Sequence, residues 1–290
     1  MRKSILSVAV STLCAFSFAP AVFGQALPTS QPKFMTVVRE KVKTGRAAEH
    51  ARHEAGWPAA LERGKSTQAY VALSSMTGPS EVWYITPFES HAALDEATKR
   101  EEADTALSAE VERLGKADAE FLTDLQVLQA AARPDLSYGA FPDISKVRFY
   151  EITEFHVKPG HESGFATVAK AYAAAAAKTA PKASWRTYEV MAGAPSGTFF
   201  ILSSFESFGE LDRAMAEGMS MVNSFSAEDS ITAQKFAAEG YVSAPETNRY
   251  RLDPVQSYVS RAVREKDTAF WMPKAPLGTA KVPAKKPAQN

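Results

Sequence analysis

VREKVKTG (residues 38–45) and TEFHVKPG (153–160) are two versions of one pattern, a run of strand-type residues that ends in a turn at a glycine. The same order of motifs continues with PFESHAALD (87–95) and SFESFGELD (204–212). The first pair is offset by 115 residues and the second by 117, so the copies differ by a short insertion. Internal repetition of this kind indicates two structural units built alike.

Each copy reads as a strand, a helix, a hairpin, a helix and a final strand. Phe34–Val42 and Phe149–Val157 are the opening strands, and turn residues follow both. Pro58 is expected to kink or restart the first helix of the first copy. The remaining strands are expected at 68–75, 81–86 and 131–138 in the first copy, and at 184–191, 198–203 and 249–258 in the second.

This order is that of the split βαβ, or ferredoxin-like, unit. Such a sheet carries helices on one face and needs a partner for the other. The sequence therefore predicts an α+β protein of two ferredoxin-like (βαββαβ) repeats, at 33–138 and 148–260, joined by a linker at 139–147. Pairing of the repeats within one chain predicts an intramolecular dimeric α/β barrel and a monomer, and higher oligomers stay open.

Residues 1–24 have the layout of a secretory signal peptide, with a basic start, an apolar run over Ile5–Phe18 and small residues before Gln25. The apolar run is short for a membrane span, and Pro20 interrupts it. We therefore expect export to the periplasm or the medium, and a mature chain without an integral membrane segment. Cleavage would also remove Cys14, the only cysteine, so no disulfide is expected.

Residues 272–290 are rich in proline, alanine and lysine and contain no acidic residue, which predicts a disordered tail. Without the two basic residues at the N-terminus and the four lysines of the tail, the 33 basic residues fall to 27 against 33 acidic ones. This balance argues against a nucleic-acid partner. Weak attachment of the tail to an anionic surface is the alternative to a purely solvated tail.

YEITEFHVKPG (150–160) resembles the opening strand and turn of NIPSNAP-type domains, and VVREKVKTG (37–45) is a looser version. Both fit the dimeric α/β-barrel superfamily, which includes antibiotic-biosynthesis-monooxygenase-like (ABM-like) and haem-degrading domains. The resemblance implies the barrel fold over residues 33–258 and leaves the function open, because this superfamily hosts many activities. Val38 and Thr153 stand where haem-degrading members have an asparagine, which weighs against haem degradation.

The two copies differ most on the first helix. His50 and His53 stand where the second copy has Phe165 and Val168, and Trp57 follows one turn later. Side chains at positions i and i+3 share a helix face. Imidazoles placed in this way can bind a metal, hold a haem or move a proton near neutral pH.

Thr36 and Glu40 alternate onto one face of the preceding strand. If that face meets the helix, Thr36, Glu40 and Trp57 line a ligand pocket in which His50 and His53 are the catalytic acid–base residues. No metal ion is expected, because two histidines lack a clear third ligand and no HExxH motif is present. The structural alternative is that the histidine pair lies at a partly exposed helix edge.

Arg39 and Glu154 occupy matching positions of the two opening strands. They are expected to form an ion pair between the two sheets if the inner faces meet.

The function that the sequence favours is binding of a small apolar or aromatic compound between sheet and helices, with cofactor-independent, monooxygenase-like oxidation as an extension. A haem or metal carrier is one alternative. No cofactor is expected otherwise, and haem is the one cofactor that the sequence still allows. The other alternative is a non-catalytic interaction protein that recruits its partner through the barrel surface or the basic tail.

Overall fold

A computed structural model of the protein describes residues 27–273. The predicted signal peptide (1–24) lies outside the described residues, as does the predicted tail from residue 274 onward. Among residues 27–273, no helix combines the length and the apolar character that crossing a membrane would require.

The two halves of the described chain follow the same order of strands and helices, except that the first helix of the first half is divided into two. The first half contains β1 (Phe34–Val42), α1 (Ala47–Glu54), α2 (Gly56–Arg63), β2 (Tyr70–Ser75), β3 (Glu81–Phe88), α3 (His91–Ala103), α4 (Thr105–Asp118) and β4 (Leu122–Ala132). The second half contains β5 (Phe149–His156), α5 (Glu162–Thr179), β6 (Trp185–Ala192), β7 (Thr198–Phe205), α6 (Phe208–Asn223), α7 (Ala227–Glu239) and β8 (Glu246–Tyr258). Two short helices follow, α8 (Arg261–Lys266) and α9 (Thr268–Trp271).

The eight strands form one closed antiparallel barrel in the order β1-β3-β2-β8-β5-β7-β6-β4. In each half the opening strand lies in the middle, with β1 between β3 and β4 and β5 between β7 and β8. The halves join where β2 pairs with β8 and β4 pairs with β6. The predicted α+β class and the barrel closed within one chain are thus confirmed.

The final strand of the first half was expected at 131–138, and this expectation is wrong. The strand β4 runs from Leu122 to Ala132, and Pro134–Leu136 forms a 3-10 turn. Proline has no backbone N–H to donate to a strand ladder, so the extended pairing with β1 stops before it. The expected break near Pro58 is confirmed, because α1 ends at Glu54 and α2 begins at Gly56.

Large side chains from both halves meet inside the barrel. Alternate strand residues point inward, and Met35 and Val37 of β1 are almost fully buried there. The ring of Trp83 lies 5.1 Å from that of Phe200 and 5.5 Å from that of Tyr250, between centroids. Because Trp83 belongs to the first half and the other two rings to the second, these contacts hold the halves together.

One charged network interrupts this apolar interior. Arg39 Nε donates to Glu81 Oε2 at 2.8 Å, and Arg39 Nη1 donates to Glu154 Oε2 at 3.1 Å. Glu81 also accepts from Trp83 Nε1 at 3.0 Å and from the Tyr250 hydroxyl at 2.6 Å. The expected ion pair between Arg39 and Glu154 is therefore confirmed, and Glu81 joins it as a second carboxylate.

We predict that Arg39→Met destabilises the protein by about 3–5 kcal/mol, because it leaves the fully buried Glu81 carboxylate without its cation. Urea unfolding followed by circular dichroism measures the change. The matched control is Arg249→Met, which removes a partly exposed pair with Glu151 and should cost at most about 1 kcal/mol. Equal costs for the two variants would contradict the role assigned to Arg39.

Candidate metal centre

The outer face of β1 presents Glu40 to the helices that cover the sheet. Glu40 is 6% exposed, because α1 packs across this part of the strand. His50 lies on the inward face of α1 and is 1% exposed. Its Nε2 is 2.9 Å from Glu40 Oε2, within hydrogen-bond distance.

Two further carboxylates reach the same point. Glu54 follows His50 by one helical turn, so both side chains lie on the same face of α1. Asp118, at the end of α4, places Oδ1 3.5 Å from His50 Nε2. One ligand atom from each of Glu40, His50, Glu54 and Asp118 lies within 4.8 Å of all the others, and all four residues are buried. We refer to these four residues as the acidic cluster.

Aromatic side chains surround the acidic cluster and hold it in place. Trp57 Nε1 donates to Glu54 Oε1 at 3.0 Å. The Phe121 ring packs edge-on against His50, with 6.3 Å between ring centroids. Trp57, expected as the wall of a ligand pocket, thus fixes the orientation of a carboxylate.

Burial and mutual repulsion strongly perturb the titration of the acidic cluster. Burial, followed by the negative charge of Asp118, raises the pKa of Glu40 to about 8. Burial, followed by the charges of Glu40 and Asp118, raises the pKa of Glu54 to about 9. The pKa of His50 is lowered, mainly because burial disfavours the charged imidazolium. Without a cation, the cluster therefore holds Glu40 and Glu54 largely protonated and His50 neutral at pH 7.

Asp118 has few hydrogen-bond partners for a buried carboxylate. It is 4% exposed, and no N–H group donates to its Oδ1 among residues 27–273. The side-chain hydrogen bond that it shares with Glu40 lasts only while Glu40 holds a proton. A cation bound between the four side chains would replace that proton as the partner of Asp118.

The second half shows that the fold does not need charges here. At the same offset of 115 residues it has Phe155, Phe165 and Ala169 in place of the glutamate, histidine and glutamate of the first half. The rings of Phe155 and Phe165 lie 5.3 Å apart and belong to an apolar cluster with Phe199 and Phe236. The same scaffold is thus packed with aromatic rings in one half and with ionisable groups in the other.

The structure brings together only some of the side chains expected at the site. Glu40 and His50 meet directly. His53 points to α4, where its Nε2 lies 3.0 Å from the Leu114 carbonyl oxygen, and its ring packs on Phe121. Thr36 is half-buried on the same face of β1, but it is not part of the acidic cluster.

The sequence did not predict two members of the cluster, Glu54 and Asp118. Glu54 carries a usable signal, since its i+4 spacing from His50 puts both on one helix face. Asp118 carries none, because it lies 68 residues after His50 and only the packing of α4 against α1 brings the two together. The expectation of no metal ion rested on the lack of a third ligand beside the histidines, and the folded chain supplies three carboxylates.

For the chelator-treated protein, we predict that the free energy of unfolding falls as the pH rises from about 6.5 to about 8. Glu40 and Glu54 have folded-state pKa values of about 8 and 9 against an ordinary value of 4.5, so the folded state holds more protons in this window. The maximum slope is about 1.4 kcal/mol per pH unit for each proton. His50 acts in the opposite direction, but only below about pH 6.5, where the unfolded imidazole is charged.

Urea unfolding at several pH values measures this dependence. The double variant Glu40→Gln, Glu54→Gln should show a clearly flatter profile, because amides do not titrate. An identical slope in the double variant and in the unaltered protein would contradict the assignment.

Comparisons with known proteins bear on the fold and not on the function. No protein-family model and no curated protein matches the chain. A candidate monooxygenase from Lactobacillus acidophilus is similar, with 10% identity and a TM-score of 0.47, and the match covers 79% of this chain and 97% of that one. A candidate monooxygenase from Fusobacterium nucleatum gives 9% identity, a TM-score of 0.49, and coverage of 77% and 93%.

A variant of chlorite dismutase from Candidatus Nitrospira defluvii is also similar, with 7% identity and a TM-score of 0.46, over 82% of this chain and 96% of that one. None of these TM-scores reaches 0.5. These similarities therefore carry no conclusion about function.

Proposed function

We propose that the first half of the protein binds a divalent transition-metal ion through Glu40, His50, Glu54 and Asp118. The observation that carries the proposal is the convergence of four buried ligand atoms within 4.8 Å of one another. The lack of an N–H donor to the Oδ1 of Asp118 gives further support. Two phenylalanines and an alanine stand in place of Glu40, His50 and Glu54 in the second half, which also supports the proposal, since packing does not require these charges.

The ligand types narrow the choice of ion. One imidazole nitrogen and three carboxylate oxygens suit Mn²⁺, Fe²⁺ or Zn²⁺, whereas Ca²⁺ takes six to eight oxygen ligands. In a tetrahedral site with ligands about 2.1 Å from the ion, the ligand atoms lie about 3.4 Å apart, so the cluster would contract by more than about 1 Å on binding. All four residues are buried, which leaves no opening for a haem.

The enclosure also indicates the role of the ion. No residue of the acidic cluster is more than 6% exposed. Four protein ligands complete a tetrahedral site, and closed sites of this kind hold metal firmly, whereas catalytic sites keep a position open. We therefore favour a structural or carrier role for the ion over catalysis at this site.

The charge of the cluster favours a divalent cation. Binding would displace the protons that Glu40 and Glu54 hold at neutral pH, and it would leave three carboxylates facing two positive charges. The Trp57 indole N–H, bonded to Glu54, would orient that ligand from outside the site.

The organisation of the chain is part of the proposal. We infer tandem ferredoxin-like repeats, which the shared order of strands and helices in the two halves supports. We also infer export of a monomer, supported by the composition of residues 1–24 and by the closure of the barrel within one chain.

Titration of the chelator-treated full chain with Mn²⁺ or Zn²⁺ tests metal binding. At a free metal concentration of 100 times Kd, the ion should stabilise the protein by about 2.7 kcal/mol and raise its Tm. Glu54→Gln and Asp118→Asn should each weaken binding by at least about tenfold. The control is Glu49→Gln, which alters an exposed carboxylate on the same helix and should leave binding unchanged.

The pH dependence provides a second readout. Because two protons leave the cluster, affinity should rise up to about 100-fold per pH unit between pH 6.5 and 8. A Tm that none of Mn²⁺, Fe²⁺ and Zn²⁺ changes would rule out the proposal. Equal affinities in Glu54→Gln, Asp118→Asn and Glu49→Gln would place any bound ion elsewhere.

A second candidate function is binding of a small apolar compound, and one observation favours it. An apolar pocket lies between the sheet and α5 of the second half, where Phe155, Val168, Tyr172 and Ile201 are among its lining residues. This is the sheet–helix location expected from the sequence, but in the other half. Filling it with Ala169→Phe should abolish any binding of 1-methylnaphthalene, whereas unchanged binding would exclude the pocket as its site.

A further inference from the structure

A separate cavity occupies one end of the barrel interior. Its volume is about 80 Å³, and a mouth opens it to solvent. Six strands contribute to its wall, and the segments around residues 27–32 and 141–144 cover it. The wall is mostly apolar, and includes Met35, Val71, Ile85, Ile144 and Leu202. This volume is below that of sites for drug-sized ligands, so the cavity suits only a small ligand.

Arg186 is the charged residue of this wall. It is 9% exposed, and it forms no ion pair among residues 27–273. Its Nη1 donates to the carbonyl oxygens of Tyr138 and Trp185, each at 2.9 Å. Its Nη2 donates to the Gly139 carbonyl at 2.8 Å and to Ser184 Oγ at 3.1 Å. Its Nε is buried and has no hydrogen-bond partner within the described range. The guanidinium thus keeps one unused N–H donor, and no carboxylate neutralises its charge.

Two tyrosines also contribute to the polar part of the wall. Tyr150 and Tyr188 are 8% and 4% exposed, and both lie among the residues that line the cavity. Burial raises the pKa of each hydroxyl, so both remain protonated donors at neutral pH. The Tyr150 hydroxyl makes no hydrogen bond to any residue from 27 to 273, and it is therefore available to a ligand.

We propose that this cavity binds a small apolar molecule that carries one anionic group, such as a short-chain carboxylate. The apolar wall would take the hydrocarbon part, and Arg186 and Tyr150 would bind the anion. A buried cation without a carboxylate partner is costly, and an anionic ligand offsets that cost. The site is separate from the acidic cluster, and it does not depend on metal binding there.

The hydrogen bonds of Arg186 to Tyr138 and Gly139 also attach the connector between the halves to β6. A purely structural arginine of this kind would stabilise the fold without distinguishing charged from neutral ligands. The decisive measurement is therefore the preference for charge, rather than stability or affinity alone.

The test compares two probes on the full chain, butyrate and its neutral analogue butyramide, by isothermal titration calorimetry. We expect butyrate to bind at least about tenfold more tightly, as for hydrogen bonds to charged groups. Arg186→Met should remove this preference and leave the affinity for butyramide nearly unchanged. Arg261→Met, which alters an exposed arginine outside the cavity, is the matched control and should retain the preference.

Tyr150→Phe provides a variant that leaves the connector untouched, and it should weaken butyrate binding by several-fold. Leu202→Trp should fill the cavity and abolish binding of both probes. Failure of both probes to bind the unaltered chain at about 1 mM would overturn the proposal. A preference for charge that survives in both Arg186→Met and Tyr150→Phe would also overturn it.

Discussion

Closure of the barrel within one chain is the constraint on which the rest of the structure depends. Each half alone would leave two sheet edges with unpaired N–H and C=O groups, and exposed edges of this kind favour association with other chains. Pairing of β2 with β8 and of β4 with β6 removes all four edges at once. Closure also fixes the two faces of every strand, one toward the barrel interior and the other toward the helices.

This separation of faces explains why two different polar sites coexist in one small fold. Arg39 points into the barrel, where it meets Glu154 from the other half. Its neighbour Glu40 points outward, where it meets His50 beneath the helices. Adjacent residues on one strand thus serve unrelated purposes, one joining the halves and the other building the acidic cluster.

The asymmetry between the halves indicates where chemistry is located. Aromatic packing around Phe165 shows that this scaffold forms a stable apolar layer between sheet and helices. The first half replaces that layer with three carboxylates and an imidazole, which raises the pKa values of Glu40 and Glu54 and leaves Oδ1 of Asp118 without an N–H donor. Such an arrangement costs stability unless a bound cation offsets the repulsion.

The repeat pattern was sufficient to predict the barrel, the hairpins and the break near Pro58, because local periodicity and turn residues set these features. It also identified Glu40 and His50, whose alternation and helical spacing place them between sheet and helix. It could not identify Asp118, whose position depends on how α4 packs over α1. It misplaced β4, because the polar residues at the start of that strand do not alternate clearly with apolar ones.

The most direct test of the central claim is a crystal structure of the Zn²⁺-soaked protein with data collected on both sides of the zinc absorption edge. The account predicts one strong anomalous peak about 2.0–2.2 Å from the ligand atoms of Glu40, His50, Glu54 and Asp118. Zinc bound only elsewhere, for example at His53 or at an exposed surface histidine, with the acidic cluster lacking an anomalous peak, would contradict it.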